Sequence, residues 1–200
     1  GTALSSPSDP SGGVFYPEQF DQSFTFNDLT HKGALTAIRI EGPSNSVDHR
    51  IKNLNAELGL LENEYSILES VQTKIFWNKT KNLEIFSNSK KNLLRIVVPI
   101  SETLSVLQKM KPYEINYFLD WGGSLIWVEL EKINLKILRE IKDIMQQHSG
   151  YFTIIKVEDD LKASADIFTI DPIKYKISEK IKKSFDPKRI FNPGKMYSGI

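Results

Sequence analysis

Residues 93–157 read LLRIVVPISETLSVLQKMKPYEINYFLDWGGSLIWVELEKINLKILREIKDIMQQHSGYFTIIKV, and this stretch decides the fold. Four β-prone runs alternate with two helical patterns in the order β-α-β-β-α-β, which is typical of a ferredoxin-like unit. We therefore predict an α+β fold, with ferredoxin-like βαβ units forming an antiparallel sheet and helices mainly on one face. The strands are predicted over Leu93–Val98, Ile115–Leu119, Ser124–Leu130 and Tyr151–Val157, and the helices over 101–109 and Leu135–His148.

Proline, glycine and turn-forming residues separate these predicted elements. Pro99 ends the first strand. We interpret Asp120-Trp121-Gly122-Gly123 as a hairpin turn in which the glycines supply positive φ and Trp121 packs; the alternative is a subunit contact or a substrate rim. Gly150 follows the second helix, whose apolar residues recur at helical spacing. This pattern predicts one buried face, made of Leu135, Leu138, Ile141 and Met145.

The preceding region has a similar but shorter pattern. It predicts a strand over Leu35–Ile40, a helix from Ser44 or Ser46 to Leu58 that ends at Gly59, a second strand over Tyr65–Leu68, and a helix over 70–82. We interpret this strand-helix-strand as an extra half copy beside the main unit.

Three segments follow from composition. Residues 1–32 are rich in Ser, Pro, Gly and Asp and predict an extended, loosely structured lead-in. Residues 33–170 form the predicted α+β domain. Residues 171–200 predict a basic helix plus a C-terminal tail on the same domain.

Bulk composition excludes several classes of function. The 200 residues carry a net charge of +1, so no strong field attracts nucleic acid. The absence of cysteine excludes disulfides, thiolate metal sites and a cysteine nucleophile. No apolar run approaches the roughly 20 residues that span a bilayer, and no secretory signal is recognisable, so we expect a cytoplasmic protein. With Gly1 in place of an initiator methionine, we expect either a tag remnant or an internal start.

The tail contains the most specific motif, FDPKRIFNPGKMY at residues 185–197. Its two prolines and one glycine exclude regular structure, and its apolar residues predict a loop held in one conformation. The motif resembles the D-P-x-x-x-x-N-P-G-K signature that ends FAD-linked oxidases of the vanillyl-alcohol-oxidase type. The matching positions are Asp186, Pro187, Asn192, Pro193, Gly194 and Lys195.

Further segments resemble the FAD-binding subunit of bacterial glycolate oxidase, and the likeness covers most of residues 30–200. They include GALTAIRIEGP at Gly33–Pro43 and FLDWGGSLIWV at Phe118–Val128. The resemblance implies the C-terminal, substrate-side cap domain of a flavoprotein that oxidises glycolate, a 2-hydroxy acid, to glyoxylate through FAD. It also implies two partners, a second flavoprotein subunit and an iron–sulfur subunit, in a complex loosely associated with the inner membrane.

The resemblance places the FAD-binding loops in an N-terminal domain. Gly12-Gly13 lacks the repeated glycines of a pyrophosphate loop, so this chain alone is expected neither to hold FAD tightly nor to be active. We name no catalytic residue. Two alternatives stay open: a non-catalytic assembly domain that supports a partner flavoprotein, and a free-standing ferredoxin-like ligand-binding domain.

Each candidate site residue has two interpretations. For the tail, the resemblance implies that four residues line the FAD ring or the substrate entrance, namely Asn192, Pro193, Gly194 and Lys195, and that the lysine stabilises negative charge there. The alternative is that this segment is a structural lock anchored by Phe191 and Met196. Arg39 and Arg95 lie in β-prone runs, where an arginine either clamps a carboxylate or faces solvent.

The histidines and the basic tail favour ordinary roles. His31, His49 and His148 show no metal-ligand spacing, and we predict no metal site. Residues 172–195 carry eight basic residues and two acidic ones. This positive charge either attracts an anionic substrate or an acidic partner subunit, or belongs to a solvated helix face. We favour the solvated face.

Overall fold

The computed structural model describes residues 1–18, 24–26, 29–31, 33–61, 64–68, 70–158, 160–161, 165–166, 168–169, 171–194 and 197. Within these ranges the chain forms eight strands and five α-helices. The strands are β1 (Gly12–Tyr16), β2 (Phe24–Phe26), β3 (Leu29–His31), β4 (Leu35–Arg39), β5 (Asn92–Val97), β6 (Asn116–Asp120), β7 (Leu125–Leu130) and β8 (Tyr151–Lys156). The helices are α1 (Ser44–Leu58), α2 (Ser70–Lys81), α3 (Thr103–Met110), α4 (Leu135–Gln147) and α5 (Pro172–Phe185).

Six strands form one antiparallel sheet in the order β4-β1-β6-β7-β5-β8, while β2 and β3 pair with each other. The predicted α+β class and antiparallel sheet are therefore confirmed. The strands of the decisive stretch also occur in the predicted sequence order, and their bounds lie within one or two residues of those predicted. The ferredoxin-like assignment itself stays a prediction.

The chain divides into two compact units. The first comprises residues 1–90 and 117–123, and the second comprises residues 91–116 and 124–200. The second unit contains the central strand β5, which pairs with β7 on one side and with β8 on the other. Its neighbouring helices α3 and α4 bury their apolar faces. The buried apolar residues of these elements are Leu93, Leu94, Ile96, Leu125, Ile126, Val128, Leu130, Phe152, Ile154, Val106, Leu107, Met110, Leu138, Ile141 and Met145.

The first unit has a core rich in aromatic side chains. The ring of Phe118 stacks on two aromatic rings. The ring centroid of Tyr16 on β1 lies 4.9 Å from that of Phe118, and the centroid of Phe86 lies 5.8 Å from it. Phe76 on α2 meets the Tyr16 ring edge-on at 6.5 Å. The Tyr16 hydroxyl lies 2.9 Å from the Thr80 hydroxyl, so its polar end is satisfied inside this core.

Arg50 attaches the N-terminal segment to α1 within the same unit. Its guanidinium donates to the carbonyl oxygens of Ser8, Asp9 and Glu41, and the Ser8 hydroxyl donates back to the Arg50 carbonyl. One cation thus satisfies three backbone acceptors, which fixes the path of the chain before β1.

Two predictions for the N-terminal half are wrong. Residues 1–32 were expected to be loosely structured, but residues 12–16 form β1, which pairs with β4 over five residues and buries Val14 and Tyr16. Residues 65–68 form no strand, although their side chains are β-prone. The predicted strand-helix-strand therefore contributes a single strand, β4, to the sheet, because no strand forms at residues 65–68 after α1.

None of the helices in the described ranges is both long and apolar enough to cross a bilayer.

Candidate functional site

Helix α5 leads directly into the motif-bearing tail. Asp171 caps the helix, because its Oδ1 accepts hydrogen bonds from the N–H groups of Ile173 and Lys174 at 2.9 and 3.0 Å. Pro172 occupies the first turn, where a missing N–H costs nothing. The predicted start and end of this helix are both confirmed, since it begins at Pro172 and ends at Phe185.

The tail is organised around the Asp186 carboxylate. Its Oδ1 accepts from the Ile190 N–H and its Oδ2 from the Phe191 N–H, each at 2.9 Å. The Lys182 ammonium lies 2.8 Å from Oδ2 and also donates to the Phe191 carbonyl. We call this arrangement the Asp186 clamp. It holds residues 186–191 as one turn at the C-terminal end of α5.

The clamp changes the chemistry of its carboxyl group. The hydrogen bond from Lys182, together with the N–H groups of Ile190 and Phe191, lowers the pKa of Asp186 to about 2, against the opposing effect of burial. The Asp186 side chain is only 7% exposed. Charge-assisted bonds of this kind are the stronger class of hydrogen bond, so the anion itself fixes the turn.

The structure corrects one proposed anchor of the tail. A structural lock was expected to rest on Phe191 and Met196, but Phe191 is 68% exposed and Ile190 is similarly exposed. Met196 lies outside the described residues. The Asp186 carboxylate and its donors hold the turn, and the Ile190 and Phe191 side chains are exposed.

The predicted site residues follow this clamp. Asn192, Pro193 and Gly194 are exposed, and Asn192 and Gly194 have positive φ values of 46° and 67°. An asparagine tolerates that conformation better than most residues, and a glycine tolerates it best. Lys195 lies outside the described residues. The structure therefore places the first three on one exposed tip that directly follows the clamp.

Helix α5 carries an exposed apolar row. Its members recur every four residues along the helix and continue onto the turn that the clamp holds. They are Ile173, Ile177, Ile181, Phe185, Ile190 and Phe191, and each is more than half exposed. Exposed lysines border the row, including Lys176, Lys180 and Lys183. A contiguous apolar surface of this kind on a folded domain indicates a surface that meets another molecule.

A second candidate lies on the face of the sheet in the same unit. Arg95 occupies the middle of β5, directly opposite Trp127 on β7 and Thr153 on β8. Its guanidinium carbon lies 6.0 Å from the centroid of the Trp127 ring. Thr153 in turn bridges to Phe168, so Trp127, Arg95, Thr153 and Phe168 form one cross-strand row.

The tail reaches the end of this row. The ring of Tyr197 lies 6.0 Å from the ring of Phe168 and 6.0 Å from that of Tyr175 on α5. The motif-bearing segment and the cross-strand row therefore meet within the second unit.

The two arginines that sequence could not separate have different surroundings. Arg39 also lies over a tryptophan, 5.8 Å from the Trp77 ring centroid, but it is bound to Glu41 at 2.6 Å. Arg95 lies between Trp127 and Thr153 on the neighbouring strands, so the two arginines have different neighbours.

The turn between β6 and β7 is confirmed, but the side chain of its tryptophan is largely exposed, not buried. Asp120 Oδ1 accepts the Trp121 N–H at 2.7 Å, and positive φ is found at Gly122 and Gly123. Trp121 also has a positive φ of 51° and is 59% exposed. A bulky residue in this conformation is an outlier.

The histidines have partners that sequence spacing did not show. His148 Nδ1 lies 2.6 Å from the Glu102 carboxylate, and His49 contacts Asn53 at 3.0 Å. The side chain of His31 lies outside the described set. Among the residues that are described, no group of three potential ligands could hold a metal ion.

Gly12 and Gly13 belong to β1 and do not form a phosphate-binding loop. They pair with Arg39 and Ile38 on β4. An added Cβ would lie 3.6 Å from the Trp77 ring at Gly12 and 3.6 Å from Leu4 at Gly13, which are ordinary contact distances.

The Asp186 clamp leads to a prediction for the Asp186→Asn variant. Because the lowered pKa favours the anion in the folded state, its contribution is complete above pH ~4 and is lost as the pH falls toward about 2. We expect the wild-type Ile190 and Phe191 amide resonances to titrate in this window. In the variant we expect no such titration, and hydrogen exchange of these two amides should be about tenfold faster.

Asp171→Asn provides the control, since Asp171 caps the opposite end of the same helix. It should leave the two tail amides unchanged. A titration of the wild-type tail amides near the ordinary carboxyl pKa would show that the clamp does not form in solution.

No protein-family model matches the chain, and no curated protein matches it. The likeness to FAD-linked oxidases therefore depends on the motif and on the further sequence segments that resemble the glycolate oxidase subunit.

Proposed function

We propose that this chain is the C-terminal, substrate-side domain of an FAD-dependent flavoprotein subunit of glycolate oxidase, which converts glycolate to glyoxylate. The observation that carries the proposal is the motif itself. Its Asp186 centres a clamp that presents Asn192, Pro193 and Gly194 on an exposed tip. The fixed spacing of these unusual residues is thus matched by a fixed local geometry, which supports a functional role for the tail.

The proposed reaction removes two electrons and two protons from the 2-hydroxy acid. Bound FAD would accept the hydride from the α-carbon, and the hydroxyl proton would leave to a base. The electrons would then pass to an iron–sulfur partner subunit. This chain would contribute the substrate side, where it positions the acid against the flavin.

The described residues fit only part of an FAD site. They offer no glycine-rich loop for the pyrophosphate, because the one glycine pair near the start is in a strand. The exposed tip is free of regular structure and could border the flavin ring. We therefore assign FAD binding to a further segment or subunit, with the tip of the tail at its edge.

The exposed apolar row on α5 and the following turn, which we call the α5 row, supports contact with another polypeptide. Six large apolar side chains are exposed along one helix and its following turn. Interface cores are typically apolar with a polar rim, and the neighbouring lysines would supply such a rim. The flavin-binding segment or a partner subunit would cover this surface.

A non-catalytic assembly domain is the second candidate, and one observation favours it. The described tail residues make their strongest contacts with each other, through Lys182 and Asp186, which is what a structural lock requires. In that case the domain would support a partner's flavin site and would never contact glycolate.

One experiment tests the proposal and separates these candidates. The chain would be produced alone and together with all coding sequence upstream in its reading frame and the neighbouring genes. FAD would be titrated into each sample and followed by flavin fluorescence. We expect no tight binding by the chain alone and stoichiometric FAD in the larger assembly. Micromolar FAD binding by the chain alone would contradict the assignment of the cofactor to another segment.

The α5 row provides the matched variants. Ile181→Glu should prevent co-purification with the flavin-binding partner, because it places a charge in the apolar row. Lys136→Gln changes the net charge by the same amount, but at an exposed side chain on α4, and should have no effect on co-purification. Equal behaviour of the two variants would show that α5 does not form the interface.

A further inference from the structure

Helix α5 turns a mostly polar side toward its own chain. In this helix, which is described throughout, only three residues are not exposed, and they recur on one side of it: Tyr175, Ser178 and Lys182. The α5 row lies outside this inner side, and its members Ile173 and Phe185 are 72% and 84% exposed. A surface helix ordinarily buries its apolar stripe and exposes its polar one. The inverted arrangement of α5 indicates that another molecule covers the α5 row.

Three lysines run along one flank of the α5 row. At about 100° per residue, Lys176, Lys180 and Lys183 lie within about 60° of one another, on the flank that is farther from the inner side. All three are exposed, and within the described ranges none of them forms an ion pair. The helix has a single acidic residue, Glu179. We call the three residues the lysine line, and it provides cations without ion-pair partners beside an apolar surface.

The spacing of the α5 row fits the surface of another α-helix. Ile173, Ile177, Ile181 and Phe185 recur at four-residue intervals, so they follow one another about 6 Å apart and span about 18 Å of the helix axis. A ridge of residues four apart packs into the groove between two ridges of a second helix. The turn that carries Ile190 and Phe191 extends this apolar surface past the end of α5.

We propose that the α5 row binds an amphipathic α-helix of another polypeptide, whose apolar face is bordered along one edge by aspartate or glutamate. The two apolar faces would pack together, and the acidic edge would lie along the lysine line. Charges at an interface set specificity and register more than affinity, so the lysine line would select the partner helix and its orientation. The inference rests on the proposed contact of α5 with another polypeptide, and it names the chemistry of that contact.

The charge distribution favours this occupant over a second copy of the chain and over a bilayer. Two antiparallel copies related by a two-fold axis would bring one lysine line against the other, and like charges oppose that pairing. An anionic bilayer extends equally on both sides of an embedded helix and is matched best by free cations on both flanks. The remaining lysines of α5 are ion-paired, Lys182 with Asp186 and Lys174 with Asp171.

The test uses two synthetic amphipathic peptides of about 18 residues, a length that covers the row. They share one leucine face and differ along one edge, which carries glutamate in the first peptide and glutamine in the second. Each is titrated into the isotope-labelled chain while the α5 amide resonances are followed by NMR. We expect a dissociation constant on the order of 100 μM for the glutamate peptide and binding about tenfold weaker for the glutamine peptide. At about 0.5 M salt the difference should fall below about twofold, because exposed charges are screened.

Two results of this titration would overturn the proposal. The first is equal binding of the two peptides at low salt, which would show that the lysine line does not select the partner. The second is no saturable shift of the α5 amides with the glutamate peptide. Both results come from the unmodified chain and do not depend on the folding of a variant.

Variants connect the selectivity to the lysine line. Lys180→Glu should weaken binding of the glutamate peptide about threefold to fivefold and should strengthen binding of a third peptide that has lysine along the same edge. Lys132→Glu is the matched control, since Lys132 is also exposed and without an ion pair, lies in the same unit, and precedes α4. It should bind all three peptides as the wild type does. Equal behaviour of the two variants would overturn the proposal.

Two further measurements test the other occupants. The chain should stay in solution when vesicles of phosphatidylcholine with about 30% phosphatidylglycerol are sedimented, and light scattering should show a monomer. Sedimentation with the vesicles that Lys180→Glu abolishes would assign the surface to a bilayer. A dimer that Ile181→Glu dissociates would assign it to a second copy. Either result would overturn the proposal.

The outcome separates this inference from the proposed function. If the chain selects the glutamate peptide while the assembled flavoprotein is not reduced by glycolate, the proposed reaction is wrong and the acidic-helix site stands. If glycolate reduces the flavin while the peptides bind equally, the reaction stands and the inference is wrong.

Discussion

Replacing Phe118 with alanine is expected to lower the free energy of unfolding by about 3–5 kcal/mol. Phe118 is fully buried and stacks on both Tyr16 and Phe86, at 4.9 and 5.8 Å between ring centroids. The variant loses the transfer free energy of the ring, two aromatic contacts and the packing around a new cavity. Urea denaturation followed by circular dichroism would measure the change.

Phe118→Leu is the control for this prediction. It keeps most of the apolar volume, so a loss of about 1–2 kcal/mol is expected. A Phe118→Ala loss below about 1 kcal/mol would mean that the ring is not packed as described.

The second large effect is a loss of stability at alkaline pH caused by Tyr16. Burial, with a smaller contribution from the Asp120 charge, raises the pKa of Tyr16 to about 12, although the hydrogen bond with Thr80 acts in the opposite direction. The neutral phenol is therefore favoured by folding. Its contribution is complete below pH ~10 and is lost as the pH rises toward about 12, which amounts to about 3 kcal/mol.

Tyr16→Phe removes this ionisation and should remove the part of the alkaline dependence that comes from Tyr16. The difference between the tyrosinate absorbance of the wild type and that of the variant reports the ionisation of Tyr16 alone. We expect this difference to appear toward about pH 12. A difference that appears near the ordinary tyrosine pKa would contradict the buried environment of the Tyr16 hydroxyl.

Local sequence patterns predicted the elements of the second unit well. LLRIVV and SLIWVEL are strongly β-prone runs bounded by turn residues, and β5 and β7 form there. The helical spacing also predicted the buried positions of Leu138, Ile141 and Met145 on α4. Leu135 was predicted for the same face but is 39% exposed at the start of the helix. Where periodicity, propensity and punctuation agree, the local preference and the tertiary structure coincide.

The errors in the first unit have a common physical cause, which is the dependence of a strand on its partners. Residues 12–16 begin with two glycines, which are typical of a loop, yet Val14 pairs with Ala37 on β4. Residues 65–68 have strand-forming side chains but join no sheet. β-propensity reports fit to a sheet surface, so it cannot show whether a neighbouring strand is present.

The candidate site shows the same limit. The motif contains Asp186, but the anchor of the tail was assigned to the apolar side chains of Phe191 and Met196, whereas the Asp186 carboxylate holds the turn in the structure. The four-residue spacing between Lys182 in the last turn of α5 and Asp186 directly after the helix was a usable signal for this ion pair. The pairing of Arg95 with Trp127 depends on strand register, and that of His148 with Glu102 joins residues 46 positions apart. Neither is visible in local sequence.

The most direct test of the central claim is anaerobic reduction of the assembled flavoprotein by glycolate. The assembly, purified with its FAD, would be mixed with glycolate without oxygen while flavin absorbance is recorded and glyoxylate is measured. The account predicts bleaching of the flavin with one glyoxylate formed per flavin reduced. Flavin that dithionite reduces but glycolate leaves oxidised would contradict the claim that this chain is the substrate side of a glycolate oxidase.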